Sequence, residues 1–258
     1  MNHLRIPLAL LLAVPALAEV DEQDEVARLV KRAERAGAER HDVKAWWRIM
    51  DKDVTLTSGR REVAGPHDVT LAAKPLRELR RLRWRAPSSS RSRLYFHDES
   101  VDITGDAAVF TAEVSHHFFG GVEVTRMRYE LRRQKKPRKR QPKWRVVKMR
   151  RWLVRQNVGG EADVLNDEFW LDADEQVKEL TVENPSLDAT LAALVRARRI
   201  KDAYEAAVAE TKKPEALASA WMARANMALE LGMFKEARTA LREARKRDKL
   251  VEVPPLLR

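Results

Sequence analysis

The apolar pattern in the last quarter of the chain repeats at an offset of 34 residues: Leu191 matches Ala225, Leu194 matches Ala228, Val195 matches Leu229, Ile200 matches Phe234, Ala203 matches Ala237 and Ala207 matches Leu241. Self-similarity at this period belongs to a helix-turn-helix unit that cannot bury its apolar face alone, so each hairpin must stack on a neighbour. Two copies are fewer than a self-sufficient stack needs. The hairpins must therefore lean on the rest of the chain or on a partner.

The middle of the chain is β. Alternating runs at Arg93 to Thr104, Ala107 to Phe119 and Val122 to Arg133 are separated by Gly105-Asp106 and Gly120-Gly121, which suit tight hairpins. A basic loop, Lys135 to Pro142, leads to a last strand from Trp144 to Val154. Upstream, Val26, Leu29, Val30 and Ala33 recur at helical spacing, as do Val43, Trp46, Trp47 and Met50, with a break near Gly37. Asp53 to Thr57 reads as a strand, with Arg61 to Ala64 as its expected partner; Pro75 suits the first turn of a helix carrying Leu76, Leu79 and Leu82, ended by Pro87 and three serines. Beyond Gly159-Gly160, Asp172 and Glu175 have capping-box spacing for a short helix, and Asn184-Pro185 reads as the cap and first residue of the repeat.

Met1 to Ala18 has a basic start (Arg5), an apolar run from Ile6 to Val14 and Ala16-Leu17-Ala18, the three-part layout of a secretory signal peptide with cleavage expected after Ala18. The run is shorter than the roughly 20 apolar residues of a membrane-spanning helix. The chain has no cysteine, which excludes disulfides, thiolate metal sites, a cysteine nucleophile and lipid attachment at cysteine. The expectation is a soluble exported protein, periplasmic or secreted, with no cofactor and no metal.

The net charge of +11 is unevenly placed. Arg126 to Arg155 holds fifteen basic residues and one acidic residue, whereas Glu161 to Glu183 holds nine acidic residues and one basic residue, so the two blocks are expected to neutralise each other if they lie side by side. Lys135, Lys136, Arg138, Lys139 and Arg140 form the densest cluster. No aromatic interleaving or nucleic-acid motif accompanies it, so an anionic envelope surface is the better partner than nucleic acid.

Ala45-Trp46-Trp47 before Asp53-Val54-Thr55-Leu56, the turn Gly105-Asp106-Ala107-Ala108-Val109-Phe110, and Trp144-Arg145-Val146-Val147 follow one another in a helix-helix-strand-helix-meander order. From about Asp21 to Gln156 this resembles the ketosteroid isomerase-like superfamily, also called nuclear transport factor two-like or SnoaL-like. That resemblance implies an α+β cone, a curved antiparallel sheet wrapped around N-terminal helices, with a pocket at its open end and dimerisation through the sheet. From Leu187 to Asp248, Trp221, Ala225, Gly232, Phe234, Ala237, Leu241 and Ala244 resemble the tetratricopeptide repeat; the first copy departs with Arg198 at the glycine position and no tryptophan. The division expected is a signal peptide at 1–18, the cone at 19–156, an acidic connector at 157–185, an all-α repeat module at 186–250 and a tail at 251–258.

His116 and His117 are adjacent in a strand and point to opposite faces, so they cannot share a metal. His116 falls in register with Phe110, Ala112 and Val114, on the concave side. Asp53, His116 and Tyr129 are the pocket candidates for proton transfer if the cone is an isomerase, dehydratase or cyclase, or for binding if it only carries a ligand. The leading expectation is different: a non-enzymatic scaffold protein of the cell envelope. It would capture another envelope protein through a groove walled by Trp221, Arg224, Ala228 and Phe234, with the basic hairpin recruiting electrostatically.

Overall fold

The computed structural model describes residues 9–83, 92–118, 121–135, 137, 141–158, 161–182 and 185–251. The start of the expected signal peptide, Pro87 and its serines, Gly120, four of the five loop cations (Lys136, Arg138, Lys139, Arg140), Asn184 and almost all of the tail lie outside them.

Helix α1 (Ala9–Ala38) buries Val26, Val30, Ala33 and Ala36. His41, at φ +54°, turns the chain, and Asp42 accepts from the Ala45 amide at 2.8 Å to start α2 (Val43–Trp47). This helix is one turn long, shorter than the Val43 to Met50 periodicity suggests. The Val146 amide donates to the Ile49 carbonyl, drawing Met50 into strand β1 (Met50–Gly59). The partner of β1 is β2 (Val69–Leu71) rather than Arg61 to Ala64. The carbonyls of Arg61 and Val63 are taken instead by the Arg150 guanidinium, both at 2.7 Å, so that segment is a loop wrapped around a side chain.

Helix α3 (Ala73–Arg83) carries Pro75 in its first turn and buries Leu76 and Leu79. Strands β3 (Arg93–Thr104), β4 (Ala107–Phe118), β5 (Gly121–Arg133) and β6 (Trp144–Val158) pair antiparallel in sequence order, with Gly105 at φ +58° in the first hairpin turn. The sheet is larger than a four-stranded meander. β1 joins β6 in parallel, the path runs β2-β1-β6-β5-β4-β3, and β7 (Glu161–Val164), off that path, pairs antiparallel with β6, a curved mixed sheet of seven strands. Its register shifts between Val124 and Thr125 and between Glu130 and Leu131, local irregularities that bend a sheet.

The expected acidic connector is structured. It holds β7 and helix α4 (Asp167–Val182), capped by Asn166, whose side chain accepts from the Phe169 amide at 2.9 Å; Asp172 lies inside this helix rather than at its start. Helices α5 (Leu187–Arg196), α6 (Ile200–Thr211), α7 (Ala218–Glu230) and α8 (Phe234–Arg247) follow as two hairpins, with Ser186 capping the first. Eight helices are present among the described residues, and none is long and apolar enough to cross a membrane.

The two hairpin turns repeat bond for bond. Arg199 N to Leu194 O and Met233 N to Ala228 O are both 2.8 Å, and Arg198 N to Val195 O and Gly232 N to Leu229 O are both 2.9 Å. Arg198 at the glycine position keeps the left-handed backbone, φ +50° against +71° at Gly232.

The main core fills the concave side of the sheet with Trp46, Tyr129, Phe110, Trp144, Leu76 and Met149, all fully buried. The second hairpin joins it through Ala228, Leu229, Phe234 and Ala237. The first hairpin packs on α4, Leu194, Ala197 and Ala203 meeting Ala173 and Val177. The convex face is polar: Glu113 meets Arg126 and Arg155, and Glu130 meets Arg128 and Lys148.

Candidate functional site

A cavity of about 570 Å³ opens between the concave sheet and the C-terminal hairpins. Its apolar wall comes from β1, β2, α3 and β6 (Leu56, Val69, Leu71, Leu76, Leu79, Trp152, Leu153) and from the hairpins (Val195, Ile200, Met227). Four guanidinium groups, Arg60, Arg80, Arg151 and Arg198, share the lining with His67 and the carboxylates of Glu123 and Glu230.

Glu34 of α1, 3 % exposed, anchors the site from behind. Its Oε1 accepts from Trp46 Nε1 at 2.7 Å, from the Tyr129 hydroxyl at 2.6 Å and from Arg151 Nη2 at 2.7 Å. Burial pushes the Glu34 carboxyl up, but the guanidinium groups of Arg151 and Arg80, with the two neutral donors, override it and hold it at about 2. Burial raises the Tyr129 hydroxyl well above its usual range, with the Glu34 charge adding to the rise. Arg151 resists burial because it faces Glu34, and it also donates to the Tyr129 oxygen at 2.8 Å. Both shifts favour the ionised Glu34 carboxylate and the protonated Tyr129 hydroxyl, the forms in which the hydroxyl donates to the carboxylate.

At the rim, Arg60 joins the two halves of the molecule. Its guanidinium is bidentate on Asp174, at 2.6 and 2.9 Å, donates to the Ala197 carbonyl at the end of α5, and stacks on Trp170 with 5.3 Å to the ring centre. His67 stands beside it, Nδ1 3.9 Å from Asp202. Burial and the cations Arg60 and Arg199 lower its pKa. Arg61 meets Asp167 at 2.7 Å. The acidic block is thus engaged by the β1–β2 loop, and its strand β7 also lies beside β6 of the basic block, with Arg155 opposite Val164 and its guanidinium on Glu113.

The sequence candidates separate. Tyr129 is fully buried in the main core, behind Arg151, and does not line the cavity. His116 is half-buried on the same concave face, its Nε2 without a partner and its pKa lowered chiefly by burial, while His117 is exposed and edges onto Tyr95 at 5.0 Å. Asp53 lies away from the cavity, exposed beside Lys52 at 3.5 Å. Ala228 and Phe234 are core residues, so they present no groove wall. Arg224 pairs with Glu236 and Thr211, and Trp221 is sandwiched between Arg224 and Arg247, ring centres 5.2 and 4.7 Å from the two cations. Lys135 sits at the hairpin tip, the rest of its cluster lying outside the described residues.

Sequence reasoning missed Glu34 and Arg151. Glu34 follows Val30 by four residues and Val26 by eight, so a carboxylate stands on the apolar stripe of α1, the signature of a buried, paired charge. Arg151 was hidden among the fifteen cations of its block.

A scan against protein-family models finds no match, and no curated protein matches the chain. Solved structures are similar over about half of it. The CaMKII hub from S. rosetta has 19% identity and a TM-score of 0.41, covering 51% of this chain and 95% of that one. An NTF2-like protein of unknown function from Pseudomonas putida has 12% identity and a TM-score of 0.41, covering 52% and 87%. An NTF2-like protein from Cytophaga hutchinsonii has 12% identity and a TM-score of 0.38, covering 51% and 98%.

Proposed function

We propose that the protein is an exported small-molecule binder, a ketosteroid isomerase-like cone whose open end is walled by tetratricopeptide-like hairpins, and that it holds its ligand without chemical change. The observation carrying this reading is the cavity of about 570 Å³ with walls from both the sheet and the hairpins. That volume falls within the few hundred to about 1,000 Å³ of ligand sites, with the expected mix of apolar walls and few polar groups. Burial of Ala228 and Phe234 in the main core favours it over the scaffold reading, because those hairpin positions are spent on packing within the chain rather than offered to a partner. The locked protonation of Glu34 and Tyr129, and the distance of Asp53 from the cavity, favour binding over isomerase chemistry. Export rests on the layout of Met1 to Ala18.

The test is solvatochromic dye binding to the full chain. Nile red fluorescence should rise on mixing and saturate, and Thr125→Trp, which places an indole in the cavity, should remove most of the rise. Equal fluorescence from both proteins would contradict the reading.

A further inference from the structure

We infer that a second copy of this chain docks on the outer face of α8 and presents the outer face of its own α4, so that copies associate head to tail through opposite charges. On α8, Lys235, Arg238, Arg242, Arg245 and Lys246 are exposed and recur at helical spacing on one side. On α4, Glu168, Asp172, Glu175 and Glu179 are exposed and recur the same way. Lys235 to Lys246 and Glu168 to Glu179 span equal lengths of helix, about 17 Å at ~1.5 Å per residue, so the two stripes can lie along each other from end to end. Neither is neutralised within the chain. The four carboxylates meet no cation among the described residues, and Lys235 and Arg245 meet no acid there. Arg238 shares Glu78 at 3.2 Å and Lys246 holds Glu243 at 2.6 Å, both in exposed pairs. The acids of α8 lie off its basic stripe, Glu236 on Arg224 and Glu243 on Lys246 and Arg247.

The order of the helices makes this contact one between copies. Each helix from α4 to α8 packs on the next, so α4 and α8 are the two ends of one layer. Trp170, Ala173 and Val177 turn the apolar side of α4 inward, and Phe234, Ala237 and Ala244 do so for α8, which leaves the charged stripes facing away from the layer. Leu171, 66% exposed beside Asp172, and Met233, 40% exposed ahead of Lys235, add apolar area to the two faces. An acidic face at one end and a basic face at the other is a heterologous arrangement: each copy offers one and receives the other. An anionic bilayer would answer α8 and leave the carboxylates of α4 unmatched, whereas a second copy answers both.

Sedimentation velocity of the full chain tests the contact. At about 0.01 M salt, where charges act over ~30 Å, the weight-average mass should rise with protein concentration; at about 1 M salt, where that reach shrinks to ~3 Å, the rise should vanish. Reversal of the acidic face (Asp172→Lys, Glu175→Lys and Glu179→Lys together) and reversal of the basic face (Lys235→Glu, Arg242→Glu and Arg245→Glu together) should each abolish the rise at low salt, with native circular dichroism. An equimolar mixture of the two reversed proteins should recover it, because each reversed face fits the other. A mass independent of concentration at low salt in the unaltered protein, or a mixture of folded variants that stays dissociated, would overturn the inference. So would binding of phosphatidylglycerol vesicles that is lost with the reversed basic face while no self-association is seen, which would assign α8 to an anionic bilayer.

Discussion

Arg198 and Gly232 occupy the same place in two successive helical turns, 34 residues apart, and both hold a left-handed backbone, at φ +50° and +71°. The reasons differ. A Cβ on Gly232 would come 2.9 Å from Leu71 Cδ2 and 3.0 Å from Pro75 Cβ, so that turn is pressed against the cone. Arg198 sustains an unfavourable conformation for a side chain that lines the cavity, a local strain placed where a ligand would sit. Gly232→Ala should lower stability by about 2 kcal/mol or more, whereas Arg198→Gly should raise it by about 1 kcal/mol. Chemical denaturation of both variants measures the opposite signs.

Glu34 makes stability depend on acid. Its folded pKa of about 2 lies below the ordinary 4.5, so its contribution is complete above 4.5 and is lost as pH falls from there toward 2. Glu34→Gln removes the negative charge and leaves Arg151 buried without its counterion, a loss of about 3 kcal/mol at neutral pH. Urea unfolding between pH 2 and pH 7 should show the unaltered protein losing stability below about pH 4.5 more steeply than the variant.

The clasp at Arg60 should control the first hairpin. Arg60→Met removes the bidentate pair with Asp174 and the bond to the Ala197 carbonyl from a side chain only 12% exposed, at a cost of about 2 kcal/mol. Amide exchange should accelerate in α4, α5 and α6 and remain slow in β4 and β5.

Phe234 tests whether the hairpins and the cone are one cooperative unit. Its ring, 7% exposed, packs in the same cluster as Leu71 and Leu76. Phe234→Ala should cost about 3 to 4 kcal/mol, and both proteins should melt in a single transition seen alike by near- and far-ultraviolet circular dichroism.

Much of this architecture is legible in the residues. Alternation placed β3, β4 and β5 within a residue or two of their observed ends, because Gly105-Asp106 leaves the backbone little else to do. The period of 34 located both hairpins and their matching turns. What local pattern does not carry is pairing across long separations: nothing in Asp53 to Thr57 says that β1 lies parallel to β6, and nothing in Asp172 and Glu175 reveals that Asn166 has already started the helix. The site was half legible for the same reason. Strand register puts Tyr129 on the concave face, but its partners Glu34 and Arg151 lie 95 and 22 residues away. Trp221 and Phe234 read as large apolar positions of helical hairpins, yet which face a hairpin spends on its own chain is decided by tertiary packing.

The direct test of the central claim is a cavity-filling substitution made from the hairpin side. Met227 lines the cavity from α7, while its neighbour Asn226 faces solvent. If sheet and hairpins enclose one ligand site, Met227→Trp abolishes Nile red binding as fully as Thr125→Trp does, and Asn226→Trp leaves it unchanged. Undiminished binding in a folded Met227→Trp protein would contradict the account.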